Sequence, residues 1–218
     1  MMLPEPLIGM RRLKRRPYQI MAGRAMNRMF RVFAPALALA VAACGAGPVA
    51  EPPLKGARIG GPFALTDQDG KPVRDTDFAG KWRIVYFGYT YCPDICPVDM
   101  AKIGQAMKLL DKSDPAVSAK IVPIFVTVDP ERDTPAVLKQ YVANFHPRLV
   151  GLTGSPQAIA AVEKSYAVAA QKQVTPSGYL MGHTQVAYLM DGEGQPITSL
   201  PLEKDAAAIA DQLRYWVR

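Results

Sequence analysis

Cysteine and histidine are scarce in this chain: its 218 residues hold three of the first and two of the second. An odd number of cysteines cannot all pair with one another, so at least one serves another purpose. No apolar run reaches the roughly 20 residues that a membrane-spanning helix needs. The longest is VFAPALALAVAA, from Val32 to Ala43. Internal repeats, low-complexity tracts and a composition break marking a second domain are also missing, so the chain reads as one domain behind a leader. Net charge is absent where it would count. Residues 1–44 carry eight Lys/Arg and one Asp/Glu, and residues 45–218 carry eighteen of each, so the formal +7 belongs to the leader. The folded part is formally neutral, which removes the electrostatic case for a nucleic-acid binder.

The leader, residues 1–44, reads as a targeting segment. Arg24, Arg28 and Arg31 form a positive n-region ahead of the short apolar h-region. Val41-Ala-Ala-Cys44 resembles the lipobox of bacterial lipoproteins, in which the signal peptide is removed and the cysteine carries lipid. The competing reading is an uncleaved signal anchor in which Cys44 is incidental. Met26 or Met29 makes a normal start for such a signal, and residues 1–20 are then an upstream, untranslated extension. Residues 45–60, rich in Gly, Pro and Ala, read as a flexible tether. The expected location is the bacterial cell envelope, membrane-anchored on the periplasmic side. The domain itself is expected over 61–218.

With Cys44 assigned to lipid, Cys92 and Cys96 remain as a pair, in the segment FGYTYCPDICPVDM. Trp82-Arg-Ile-Val-Tyr-Phe87 is an apolar run of strand length, and Gly88 ends it where a loop must turn. Pro97 suits the first turn of a helix, which places Cys96 near the N-cap. There the free N–H groups and the partial positive charge favour a thiolate. Three residues separate the cysteines, compatible with two sulfurs on one ion and with a disulfide. Buried structural cysteines or a passive disulfide are the plainer alternative, disfavoured by the flanking prolines and the strand-to-helix placement.

Patterning from Pro62 onward predicts an α/β fold. An N-terminal hairpin is expected around Phe63–Thr66 and Asp69-Gly70, then the strand at 82–87, an amphipathic helix near 97–111, and a buried strand from Ile121 to Val128. A helix follows from Thr134-Pro135 to about Asn144, a short strand near Leu149, a helix from Ser155 to about Ser165, and a strand from Tyr166. The chain closes with an antiparallel hairpin, 184–190 and 197–200, and a helix from about Glu203 to Val217. This order is thioredoxin-like: a mixed sheet with helices on both faces and an N-terminal hairpin extension.

That topology brings His183 to the thiols. Strands 82–87 and 121–128, joined by a crossover helix, should run parallel, and the strand beginning at Thr184 antiparallel to them, so its start lies at the edge that carries Cys92 and Cys96. His146 precedes Pro147 and reads as an exposed turn residue. Met181 reads as core filling. Asp133 reads as a turn or cap residue; Asp94 and Asp129 are candidates for supporting or docking roles.

The matching segments YCPDICP, VDPERDTP, LTG at Leu152 to Gly154 and HTQVAYLMD occur in order across residues 62–218, and with them the chain resembles the Sco/SenC family of copper chaperones. Gly182 departs from the pattern, since many members carry an acidic residue there. The resemblance implies a soft site of Cys92, Cys96 and His183 for Cu(I), which also holds Cu(II) when another ligand is added. It implies service to the CuA centre of cytochrome c oxidase subunit II, by delivering copper, by reducing its cysteines, or both. An upstream copper donor or a thiol reductant is then required, because an oxidised pair binds no metal. Three other readings stay open: a thiol–disulfide oxidoreductase using Cys92 and Cys96, a peroxidase with one reactive cysteine, and zinc as the metal.

Overall fold

The computed structural model describes residues 50–218. The leader, Cys44 and residues 45–49 lie outside the described residues.

Two apolar strands anchor the architecture, and the remaining elements follow from covering them. In chain order the structure runs β1 (Ala64–Asp67), β2 (Pro72–Arg74), β3 (Trp82–Gly88), α1 (Ile95–Ser113), α2 (Pro115–Ser118), β4 (Ile121–Thr127), α3 (Pro135–Val142) and β5 (Val150–Thr153). It continues with α4 (Pro156–Ser165), β6 (Ala170–Thr175), β7 (Gly178–His183), β8 (Ala187–Met190), β9 (Pro196–Ser199) and α5 (Ala206–Trp216). Seven strands make one sheet in the order β2-β1-β5-β4-β3-β8-β9, while β6 and β7 form a separate ribbon. β3, β4 and β5 run parallel, as α-helical crossovers require, and β8 lies antiparallel to β3. This is the expected thioredoxin-like mixed sheet, and the N-terminal hairpin extends it through antiparallel pairing of β1 with β5.

Both faces of β3 and β4 are buried, which is why those strands read as unbroken apolar runs. α1 packs against α5 and, at Gly104, against the backbone of Phe145 just beyond α3. Tyr86 faces that layer, and its neighbour Phe87 points the opposite way, onto Tyr166 at the end of α4. Helix starts follow local chemistry. Thr134, Ser155 and Asp205 each accept a backbone N–H three residues on, and Pro135 and Pro156 stand where no intrahelical N–H is needed. Fully buried Leu110 and Leu138 each contribute about 1.5–3 kcal/mol relative to exposure.

Three expectations are corrected. Helix α1 begins at Ile95, not near Pro97, with Asp94 as N-cap, so Cys96 stands one residue inside the helix. The described part of the predicted tether is seated on the domain: Leu54 N–H donates to Ile197 O at 3.0 Å and Gly60 N–H to Ser165 O at 2.9 Å. Leu54 and Ile59 also pack on the core, so apolar burial and backbone pairing recruit a stretch whose Gly/Pro content reads as linker. No strand starts at Tyr166. That residue ends α4, and the next strand, β6, starts at Ala170 and pairs antiparallel with β7 in the separate ribbon.

Candidate metal and thiol site

The site stands at the sheet edge where β3 and β4 end. Gly88 closes β3, and a Cβ there would lie 3.0 Å from Cys96 Sγ and 3.1 Å from Phe125 Cε2. Only glycine lets the strand end this close to the sulfur. Past it, the loop to α1 is held by a buried carboxylate: Asp133 accepts Thr90 N–H at 3.0 Å, Thr90 Oγ1–H at 2.6 Å and Thr127 Oγ1–H at 2.6 Å. The loop conformation is thereby tied to the end of the neighbouring strand.

Cys92 and Cys96 are both free thiols, the first half-buried and the second fully buried. Asp94 makes no side-chain cap to α1; instead Cys96 N–H donates to Cys92 Sγ at 3.4 Å. Burial alone would push the Cys92 thiol up, but backbone N–H groups of Cys96, Asp94 and Ile95 outweigh it and hold its pKa below the ordinary value. Burial pushes the Cys96 thiol up to about 12, partly offset by the backbone of Tyr89 and reinforced by the nearby Cys92. The helix N-terminus thus activates Cys92, whereas the sequence pointed to Cys96. The reason is geometric: α1 starts earlier than Pro97 suggested, so the unpaired N–H groups face the loop sulfur.

His183 arrives by a route that the sequence did not show. It is the last residue of β7, and the link 184–186 joins it to β8, whose first residue Ala187 pairs with Tyr86 of β3. Its Nε2 lies 3.3 Å from Cys96 Sγ, and its Nδ1–H donates to Thr184 O at 3.1 Å. The Thr184 carbonyl fixes the tautomer, leaving the Nε2 lone pair toward sulfur. Burial lowers the His183 pKa, opposed by the Thr184 carbonyl and the charge of Asp99, so the ring is neutral at pH 7. Tyr89 packs edge-on against it, ring centroids 6.0 Å apart. Cys92 and His183 line one recess with Met181, Gly182 and Gln185. A first-row ion with bonds of about 2.3 Å to sulfur and about 2.0 Å to nitrogen needs donors about 3.5 Å apart at a tetrahedral angle, which the Cys96–His183 separation meets. Among the described residues no three His, Cys, Asp or Glu side chains already converge at metal-cluster spacing.

Other site expectations fare differently. His146 is buried, not exposed: its Nε2 meets Asp111 Oδ2 at 2.9 Å and its Nδ1 accepts Arg148 N–H. That cluster, between α1 and the segment after α3, is structural. Asp129 is buried, accepting Tyr179 O–H at 2.9 Å and pairing with Arg132. Arg132 in turn lies over the rings of Tyr179, Tyr91 and Tyr89, which fastens the β6–β7 ribbon beside the thiol loop. Asp94 is exposed, and a Cβ at Gly182 would fall 2.6 Å from Gln173 Nε2. Sequence reasoning missed Asp99 and Gln185. Asp99, buried on α1, accepts Tyr86 O–H at 3.1 Å and Gln185 Nε2–H at 2.7 Å, joining β3, α1 and the His183 link beneath the site. The available signal was an acidic residue three past Cys96, on the helix face that already carries Cys96, Met100 and Ile103.

One activated thiol, one buried thiol and a neutral imidazole at the edge of a thioredoxin-like sheet define a class: thioredoxin-fold proteins with a soft-donor site. Within that class the chain belongs to the SCO1/SenC family, whose family model matches residues 51–218. It is 48% identical over 138 residues to Protein SCO1 homolog 1, mitochondrial, of Arabidopsis thaliana, covering 63% of this chain and 40% of that protein. The chain spans about half the length of the curated relatives it matches. The solved structure of Bradyrhizobium japonicum ScoI with copper bound superposes with a TM-score of 0.67 at 43% identity, over 72% of this chain and 99% of that one. BsSco, a member of the Sco family of cytochrome c oxidase assembly proteins in which a disulfide switch was identified, matches at 27% identity and a TM-score of 0.57, over 71% and 91% of the two chains.

Proposed function

We propose that this chain is a membrane-tethered copper metallochaperone. It carries one copper ion on Cys92, Cys96 and His183 and passes it to the CuA centre of cytochrome c oxidase subunit II. The 3.3 Å approach of His183 Nε2 to Cys96 Sγ carries this reading, because it sets a sulfur and a neutral imidazole nitrogen at the spacing that two ligands of one ion require. Similarity to a relative solved with copper supports the choice of metal. Loading draws in Cys92 and removes the Cys96 proton, so three protein donors surround the ion and a further position stays open to a donor of the recipient. Copper then leaves by ligand exchange and is never released free. The lipobox-like Val41–Cys44 supports a lipid anchor on the periplasmic side of a bacterial membrane. Cu(I) titration of the reduced full chain in a chelator competition tests the reading: one equivalent is expected to bind, at least tenfold more weakly in His183→Ala. Unchanged affinity in that variant would overturn the ligand set.

A second reading is favoured by the asymmetry of the thiols. The accessible Cys92 has the lowered pKa of an attacking thiolate, and the buried Cys96 has the raised pKa of a resolving thiol. In a reductase step, Cys92 attacks a partner disulfide and forms a mixed disulfide. Cys96 gives its proton to His183 Nε2, 3.3 Å away, and attacks Cys92 Sγ; the bond from Cys92 to the partner breaks, and the partner leaves as a dithiol with one proton from His183 and one from water. Two electrons pass to the partner, and an external thiol must then reduce the Cys92–Cys96 disulfide. Reduction of a disulfide peptide bearing the CuA cysteines, without copper, distinguishes the readings.

A further inference from the structure

At the opposite end of β3 from the thiols, about 17 Å along the strand from Gly88, a guanidinium is buried without a counter-ion. Arg83 is 6% exposed, and among the described residues it forms no salt bridge. Its Nε has no hydrogen-bond partner, and its Nη2 reaches only the carbonyls of Phe78 at 3.3 Å and Gly192 at 3.5 Å. A buried unpaired cation is costly, and a chain tolerates one where an anion completes it. Arg83 lines a recess of about 740 Å³ between the residues that enter the domain, the end of α4 and the β8–β9 turn. Exposed Arg58 and Lys164 stand on its wall, and neither is engaged in an ion pair among the described residues. Asp75 and Glu193 also line it, but Asp75 turns an oxygen to Phe63 N–H at 3.2 Å, and Glu193 is exposed.

We infer that this recess binds a phosphate-class oxyanion, with the Arg83 guanidinium as its anchor and Arg58 and Lys164 as outer cations. The Nη1 group of Arg83 is left free of the bonds to the Phe78 and Gly192 carbonyls, and a charge-assisted hydrogen bond from a guanidinium to an anion is strengthened by burial. A free phosphate and a phospholipid headgroup present the same chemistry. The site is separate from the thiols and independent of the copper reading.

The test is thermal unfolding of the reduced full chain in neutral detergent, with inorganic phosphate, with dihexanoyl phosphatidylglycerol, or with sodium chloride at equal ionic strength. A ligand at a hundredfold excess over its Kd is expected to raise Tm by about 5–10 °C, and chloride is not. Phosphate alone active identifies a free anion; the short lipid more potent than phosphate identifies a headgroup. Arg83→Met is expected to abolish the response to both while keeping or raising Tm in chloride. If that variant does not fold, Arg58→Ala with Lys164→Ala decides, with several-fold weaker binding and an unchanged Tm in chloride. No stabilisation by either phosphate compound, or equal stabilisation of wild type and the variant that folds, overturns the proposal.

Discussion

The sulfur of Cys92 accepts the backbone N–H of Cys96 at 3.4 Å, so the first cysteine caps the helix on which the second stands. The two thiols are therefore unequal before any metal or partner arrives. One is stabilised as a thiolate by unpaired helix N–H groups, and the other is held protonated by burial against β3.

Alkylation should expose that inequality. Cys92 of the reduced protein is expected to react with iodoacetamide at pH 7.5 at least tenfold faster than Cys96. Peptide mapping of singly modified protein checks this; modification first at Cys96, or equal rates, would contradict the assignment.

Metal affinity should depend on pH through Cys96. Its thiol, pushed up to about 12, is protonated in the free protein throughout pH 6.5–9, so binding expels at least that proton and affinity rises at least tenfold per pH unit. Burial lowers the His183 pKa below its usual value near 6.5, so protonation of the ring adds nothing above pH 6.5 and steepens the loss only below it. Chelator competition across that range measures the slope, and a flat profile from pH 7 to 9 would be inconsistent with a protonated Cys96.

Asp133 holds the thiol loop, not the helix that follows it. Asp133→Ala removes three accepted hydrogen bonds and strands the buried Thr127 hydroxyl, and should cost about 2–4 kcal/mol in urea unfolding. A cost under about 0.5 kcal/mol would show that the loop is held by other means.

Gly88→Ala tests the close approach of β3 to the sulfur. The new methyl would lie 2.9 Å from Tyr86 Cε1 and 3.0 Å from Cys96 Sγ, so overpacking should cost about 1–3 kcal/mol and displace Cys96. A variant with wild-type stability and copper affinity would show that the strand end has slack.

Much of this was legible in the residues, for reasons that also explain the remainder. β3 and β4 announce themselves because both faces are buried, and their parallel pairing with β8 alongside places the end of β7 next to the thiol loop. The β6–β7 ribbon was hidden because Gln171, Lys172, Gln173 and Val174 are all exposed and bury no alternating face. It is held instead by Arg132, Tyr179 and Asp129, drawn from positions about fifty residues apart. His146 read as exposed because its partner Asp111 is 35 residues away, and no local pattern signals such a pair. The reversal of roles between Cys92 and Cys96 turned on a two-residue difference in where α1 begins, the kind of boundary that propensity resolves poorly.

X-ray absorption at the copper edge, on the Cu(I)-loaded reduced full chain, tests the central claim most directly. Two sulfur donors near 2.3 Å and one nitrogen near 2.0 Å with imidazole scattering are predicted, with about those bond lengths, and His183→Ala should lose the nitrogen while keeping both sulfurs. A first shell without nitrogen in the unmutated protein, or an imidazole signal that survives His183→Ala, would contradict it.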